Sequence, residues 1–167
     1  SGHIKAWVGG VNYKYFQYDH VGQGARQVGS TFKPFLYATA IEQLGMSPCD
    51  SIIDSYFTMP KGKWGIDKDW SPKNSDGNYR GTTTLQKALA NSINTVSAKL
   101  IDRVGPKAVV DMAKELGVTS DIPEQPSIAL GAVDITVEQM VGAMSTFANQ
   151  GVYVKPTFII KIEDKNG

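Results

Sequence analysis

A serine at position 30 with a lysine three residues later, on the threshold of an apolar run that ends in glycine, constrains this chain more than any other stretch. Val28-Gly29-Ser30 reads as a small turn opening onto helical apolar spacing at Phe32, Phe35, Leu36, Ala40, Ile41 and Leu44, with Gly45 as the stop. Pro34 falls in the first turn, where its missing N–H costs little. Ser30 then lies at the helix start, with Lys33 one turn on along the same side. An ammonium held in a partly dry cleft loses its proton more readily and can take the proton of a neighbouring hydroxyl. The helix N-terminus, for its part, favours the negative charge that develops on an attacked carbonyl. Taken by itself, the pair is also what a serine cap followed by a surface lysine looks like.

The chain has 167 residues, enough for one domain with a real core. Seventeen basic against sixteen acidic residues leave a net charge of +1, with no charged block to suit nucleic acid or an anionic membrane surface. Cys49 is the one cysteine, so no internal disulfide forms. His3 and His20 lack the clustered partners of a metal site, and no cofactor signature is present. No apolar run approaches the roughly 20 residues of a membrane span. Both ends read as cut, so sorting or anchoring segments are expected outside this chain.

Residues 3–9 alternate, Ile4, Ala6 and Val8 against His3, Lys5 and Trp7, and predict a strand stopped by Gly9-Gly10. The aromatics that follow (Tyr13, Tyr15, Phe16, Tyr18) read as packing for a connection, with a binding rim as the alternative. Residues 50–80 have little helical promise, and strand signal is confined to Ile52-Ile53 and Tyr56-Phe57. A long irregular connection often lines a site. Within it, Trp70, Pro72 and Asn74 read equally as a cleft wall and as a loop anchor.

Thr83 with Gln86 fits a capping box for a helix through Leu85, Ala88 and Leu89, interrupted at Asn91-Ser92-Ile93-Asn94. The pattern resumes through Val96, Leu100, Ile101 and Val104 to Gly105, and Pro106 opens another segment stopped by Gly117. Thr136 with Gln139 caps a further helix ended by Gly151. Residues 152–163 predict a strand that pairs with residues 3–9, and Asn166-Gly167 is a hairpin signal without its return strand, which is expected from sequence beyond this chain or from another fragment.

Ser92 and Asn94, two apart between helices, can point into one cleft: the hydroxyl could relay a proton and the carboxamide could hold an amide substrate. A junction whose serine and asparagine merely satisfy exposed backbone groups is the plainer reading.

Together, Gly29-Ser30-Thr31-Phe32-Lys33-Pro34-Phe35, Trp70-x-Pro72-x-Asn74 and Ala90-Asn91-Ser92-Ile93-Asn94 closely resemble the transpeptidase domain of bifunctional, class A penicillin-binding proteins. The resemblance extends to Ile4-Lys5-Ala6-Trp7-Val8-Gly9-Gly10, Pro126-Ser127-Ile128-Ala129-Leu130-Gly131 and Phe147-Ala148-Asn149-Gln150-Gly151, so it covers nearly the whole chain.

The resemblance implies an α+β fold, a helical cluster against a partial antiparallel sheet, with residues 1–167 forming part of a transpeptidase domain. It implies Ser30 as acylated nucleophile, Lys33 as its base, Ser92 as proton relay toward a leaving D-alanine, and Asn94 as the group that binds the peptide amide and orients Lys33. Gly29, Trp70 and Asn74 would bind substrate or line the cleft. The implied substrate is the D-Ala-D-Ala end of a peptidoglycan stem peptide, with β-lactams as inhibitors. The expected setting is the extracytoplasmic face of the bacterial inner membrane, within a parent that also carries a glycosyltransferase domain. Membrane attachment would come only through a segment outside this chain.

Two departures stand out: Val28 occupies a position where the family usually has proline, and the family's third motif, Lys-Thr/Ser-Gly on a sheet strand, occurs nowhere in these residues. Its strand would supply the second oxyanion N–H and a carboxylate-binding surface, so the residues alone are expected to be half a site. A D,D-carboxypeptidase or β-lactamase-like hydrolase shares the first two motifs, and a non-catalytic wall-binding module is the alternative from another class.

Overall fold

The computed structural model describes residues 2–165, and the Asn166-Gly167 hairpin signal lies outside them. The chain divides into two compact units, one of Ser1–Arg26, Lys114–Ser120 and Ile135–Gly167, the other of Gln27–Ala113 and Asp121–Asp134.

The second unit is built around helix α1 (Lys33–Leu44) and helix α3 (Asn94–Val104), which pack on each other. A 3₁₀ turn, Gly29–Phe32, feeds directly into α1. Pro34 lies in the first turn of α1, and Gly45 ends the helix in the left-handed conformation at φ 62°, as the sequence predicts. Phe32, Phe35, Leu36 and Ala40 are buried as expected, but Ile41 is exposed and Tyr37 takes a place in the core. The rings of Phe32 and Phe35 lie 5.0 Å apart at 57° on either side of Lys33 in sequence, which roots the lysine in packed aromatic surface.

Two strands, β1 (Ser51–Asp54) and β2 (Gly81–Thr84), pair antiparallel with Ser51 opposite Thr84 and Asp54 opposite Gly81. Ile52 and Asp54 point inward while Ser51 and Ile53 are exposed, the period-two alternation of a half-buried strand. Helix α2 (Leu85–Ala90) follows at once. Its cap is Thr84, whose hydroxyl accepts from Lys87 N–H, one residue later than the expected Thr83. Both threonines lie in β2, and Thr84, its last residue, is the one that directly precedes the helix. Helix α4 (Pro106–Glu115) begins at its proline, and a 3₁₀ helix, Pro126–Leu130, packs against α3 and the Gly29–Phe32 turn.

In the first unit, helix α5 (Val137–Ala148) is capped by Thr136, whose hydroxyl accepts from Gln139 N–H. The Gln139 carboxamide does not complete a capping box. Its oxygen accepts instead from the N–H groups of Thr119 and Ser120 at 2.9 and 2.8 Å.

The strands expected at residues 3–9 and 152–163 do not form. Their meeting is one parallel bridge, His3 with Thr157, in which Ile4 N–H donates to Thr157 O at 2.8 Å and Thr157 N–H donates to Gly2 O at 3.0 Å. Ile159, Ile160 and Ile162 are exposed, so no buried face fixes a register, and two lone strands are marginal in water. The aromatics of residues 13–18 also depart from the packing expectation: Tyr13, Tyr15 and Phe16 are exposed. Phe16, Tyr18 and His20 stack on one another instead, with centroids 5.0–6.1 Å apart. No helix among the described residues is long and apolar enough to cross a membrane.

Candidate active site

Ser30, Lys33, Ser92 and Asn94 all belong to the second unit, and three of the four meet at one point. Ser30 is exposed on the 3₁₀ turn. Gly29, before it, has φ 56°, a conformation open to glycine at little cost. Gly29 N–H donates to Gly131 O at 3.1 Å and Val28 N–H to Val133 O at 3.0 Å, so the segment after the Pro126–Leu130 helix props the turn from beneath. The approach is close enough that a Cβ built on Gly131 would lie 1.8 Å from Gly29 O. Thr31 Oγ1 donates to Val28 O at 2.7 Å and tightens the same turn.

Lys33 is 1% exposed, yet its ammonium is fully satisfied. Nζ donates to Ser92 O at 2.7 Å, Ser92 Oγ at 2.9 Å and Asn94 Oδ1 at 2.7 Å. All three acceptors are neutral, so no carboxylate offsets the loss of water. Burial therefore pushes the Lys33 pKa down to about 8. Near neutral pH roughly a tenth of the lysines would carry the free lone pair that a base requires.

The expected contact between Ser30 Oγ and Lys33 Nζ is not made in this structure. The three protons of the lysine are committed to Ser92 and Asn94, and an ammonium has no fourth donor. A neutral amine has two donors and a lone pair, so deprotonation itself frees one direction for a hydroxyl.

Ser92 sits where α2 ends. Its N–H donates to Leu89 O at 2.9 Å and the Ile93 N–H to Ala88 O at 2.9 Å, the pattern of a helix stop. The residue that turns the chain there is usually glycine. Here it is a serine at φ 53°, a strained conformation costing of order 1–3 kcal/mol. The left-handed turn aims both the carbonyl and the hydroxyl of Ser92 at the lysine.

Asn94 opens α3 and is held at both ends of its side chain: Nδ2 donates to Lys73 O at 2.9 Å, which leaves Oδ1 for Lys33. The α3 N-cap, Ile93, has no side-chain oxygen. Asn74 takes over, its Oδ1 accepting from the Asn94 and Thr95 N–H groups at 2.9 and 3.1 Å. Asn74 is therefore buried beneath the Ser92–Asn94 turn, with its side chain turned to the protein rather than to a cleft. Trp70 pairs its backbone with Met59 in both directions at 2.9 Å, while Lys73 of the same segment meets Asn94.

Sequence reasoning missed Asp54. It sits at the end of β1, 1% exposed, and accepts from Asn74 Nδ2 at 2.8 Å, from the Thr95 hydroxyl, and from Arg80 N–H at 2.9 Å. Burial pushes its carboxyl up, but the hydrogen bonds from Thr95, Asn74 and Arg80 N–H, with the Arg80 charge beside them, outweigh it and hold the pKa below the ordinary value. The one available signal was an acid alternating inward with Ile52.

A buried lysine is thus clasped by Ser92 and Asn94 one turn along from the exposed Ser30. Residues 2–167 match the transpeptidase family described as the penicillin binding protein transpeptidase domain, and the chain belongs to that family. It is similar to penicillin-binding protein 1A of Aquifex aeolicus (strain VF5), 41% identical over 170 residues covering 100% of this chain and 22% of that protein. Against penicillin-binding protein 1A of Neisseria flavescens it is 39% identical, over 100% of this chain and 21% of that one. The chain thus spans about a fifth of the length of these relatives. The crystal structure of penicillin-binding protein 1A from Haemophilus influenzae superposes with a TM-score of 0.86 at 32% identity, over 96% of this chain and 23% of that one. PonA1 from Mycobacterium tuberculosis, in complex with penicillin V, gives a TM-score of 0.74 at 29% identity over 89% of this chain and 40% of that one. The α+β fold expected from the sequence is that of these proteins.

Proposed function

We propose that this chain carries the acylation machinery of a serine D,D-transpeptidase that cross-links peptidoglycan stem peptides. The observation that supports this best is the triple hydrogen bond of buried Lys33 to Ser92 and Asn94, one turn from Ser30. In the reaction, Ser30 Oγ attacks the carbonyl carbon between two D-alanines and its proton passes to the neutral Lys33 amine. The developing oxyanion meets the Ser30 N–H at the start of the turn. The C–N bond breaks, the departing D-alanine amine takes a proton by way of the Ser92 hydroxyl, and an ester on Ser30 remains. An amine from a neighbouring stem then attacks the ester, gives its proton back through the same groups and releases Ser30. Asn94 would hold the peptide amide while keeping Lys33 in place.

A β-lactam, whose strained amide mimics the D-Ala-D-Ala terminus, would acylate Ser30 without a second step. The second oxyanion N–H and the carboxylate-binding surface would come from a Lys-Thr/Ser-Gly strand in the remainder of a multidomain, membrane-anchored parent that also polymerises glycan, acting on the outer side of the bacterial inner membrane. Residues 1–167 form part of that transpeptidase domain in this reading.

Labelling by a fluorescent penicillin, with the adduct located by mass spectrometry, tests the proposal. The full-length protein should label at Ser30 and Ser30→Ala should not. The isolated 167 residues should label about a hundred- to thousandfold more slowly, the usual cost of losing an oxyanion donor. An adduct elsewhere, or none in the full-length protein, would sink it, and hydrolysis without amine transfer would point to a carboxypeptidase.

A further inference from the structure

The Ser92–Asn94 turn rests on a buried chain of hydrogen bonds that takes no part in the chemistry proposed above. An ionised carboxylate only accepts, so Asp54 obliges Asn74 to present its NH2 group, at 2.8 Å. A second donor bond from the same Nδ2, to Asn78 O at 2.8 Å, confirms that orientation. The Asn74 carbonyl must then face the other way, and there it receives the first two N–H groups of α3, from Asn94 at 2.9 Å and Thr95 at 3.1 Å. The next residue back, Lys73, accepts from Asn94 Nδ2 at 2.9 Å. One short segment thus seizes both the backbone and the side chain of Asn94. With one proton of its NH2 group held by Lys73 O, Asn94 turns Oδ1 toward Lys33, at 2.7 Å.

We infer that Asn74, oriented by Asp54, is a positioning residue for Lys33: it sets the start of α3 and through it the face of the Asn94 amide that the lysine meets. The catalytic consequence rests on the transpeptidase reading, but the positioning does not. Without Asn74 the start of α3 loses its side-chain cap, Asn94 can rotate, and the lysine loses one of three acceptors. The ammonium is the form that suffers, because a neutral amine needs fewer acceptors. No carboxylate forms an ion pair with Lys33 among the described residues, so nothing replaces the lost contact.

The test follows the Lys33 titration directly in the full-length protein by isotope-labelled lysine NMR, with the signal assigned by its loss in Lys33→Arg. The wild type should titrate at about 8. Asn74→Leu, similar in size and neutral, should lower that midpoint by about one pH unit, a tenfold change in the ammonium–amine balance. General loosening has the opposite sign, since admitted water would raise the midpoint toward that of an ordinary lysine. An unchanged or raised midpoint in Asn74→Leu overturns the inference. If that variant does not fold, Thr95→Val, which removes the hydroxyl bond to Asp54 without changing charge or shape, is read by the same sign. The NMR readout needs no acylation, so failure of Ser30 to label would count against the proposed function and leave this measurement standing.

Discussion

Lys33 Nζ donates to Ser92 twice, to its carbonyl at 2.7 Å and its hydroxyl at 2.9 Å. One residue thus supplies two of the three acceptors that keep a buried ammonium tolerable, and it does so in the left-handed backbone conformation, at φ 53°.

Replacing Ser92 separates stability from chemistry. Ser92→Gly relieves the strain at φ 53° but removes the hydroxyl, whereas Ser92→Ala keeps the strain and removes the same group. In thermal unfolding, Ser92→Gly should exceed Ser92→Ala by about 1 kcal/mol. Both should label with penicillin at least tenfold more slowly than wild type. Equal stability of the two variants would show that the turn carries no strain.

The acylation rate should rise with pH through a midpoint near 8, because in the proposed mechanism the base is the neutral Lys33 amine and burial lowers its pKa to about that value. Stability has a matching signature. Between the folded pKa and that of an ordinary lysine, the unfolded chain binds more protons than the folded one, so this group makes stability increase with pH across that interval. Lys33→Met should abolish both the rate profile and this rise, as read by labelling time courses and denaturant titrations over pH.

Asp54 has the opposite dependence. Its folded pKa is depressed, so its stabilising contribution is complete above the unfolded carboxylate pKa and disappears as pH falls through the folded value. Asp54→Asn should cost about 2–4 kcal/mol near neutral pH, because one face of the new amide must meet a donor, either Asn74 Nδ2 or the Arg80 N–H. The variant's acid-unfolding curve should also be shallower. An Asp54→Asn protein as stable as wild type would remove the carboxylate from the account.

Gly131 and Gly29 both have positive φ, yet they should respond unequally to alanine. At Gly29 no atom lies within 4 Å of the added carbon, leaving only backbone strain of about 1–2 kcal/mol. At Gly131 the added carbon would lie 1.8 Å from Gly29 O, so the turn that carries Ser30 must move. Gly131→Ala should cost roughly 3 kcal/mol or more and suppress labelling, while Gly29→Ala remains folded. Thermal unfolding of the pair checks this, and similar losses in both would show that the backbone crossing relaxes freely.

Local chemistry made most helix limits legible. Gly45, Gly105 and Pro106 act through backbone conformation and Thr136 through a hydroxyl three residues from its N–H, all within one turn of chain. The Ser30–Lys33 and Ser92–Asn94 spacings were visible for the same reason. Strand pairing was not: residues 152–163 have the composition of a strand, but a strand exists only through a partner and a buried face, and here one bridge is all that forms. The cap that Asn74 provides was not legible for a related reason, since an asparagine in a loop carries no mark of which backbone it will cap.

The sequence by itself determined which residues could hold a nucleophile and a base, and where the helices that carry them begin and end, because those depend on neighbours three or four positions away. Only the tertiary structure decided that Lys33 spends its protons on Ser92 and Asn94 rather than on Ser30, and that Asp54 and Asn74 stand behind the arrangement. Those contacts join residues 20 to 61 positions apart, and their strength comes from burial, which excludes the water that would otherwise satisfy each group separately.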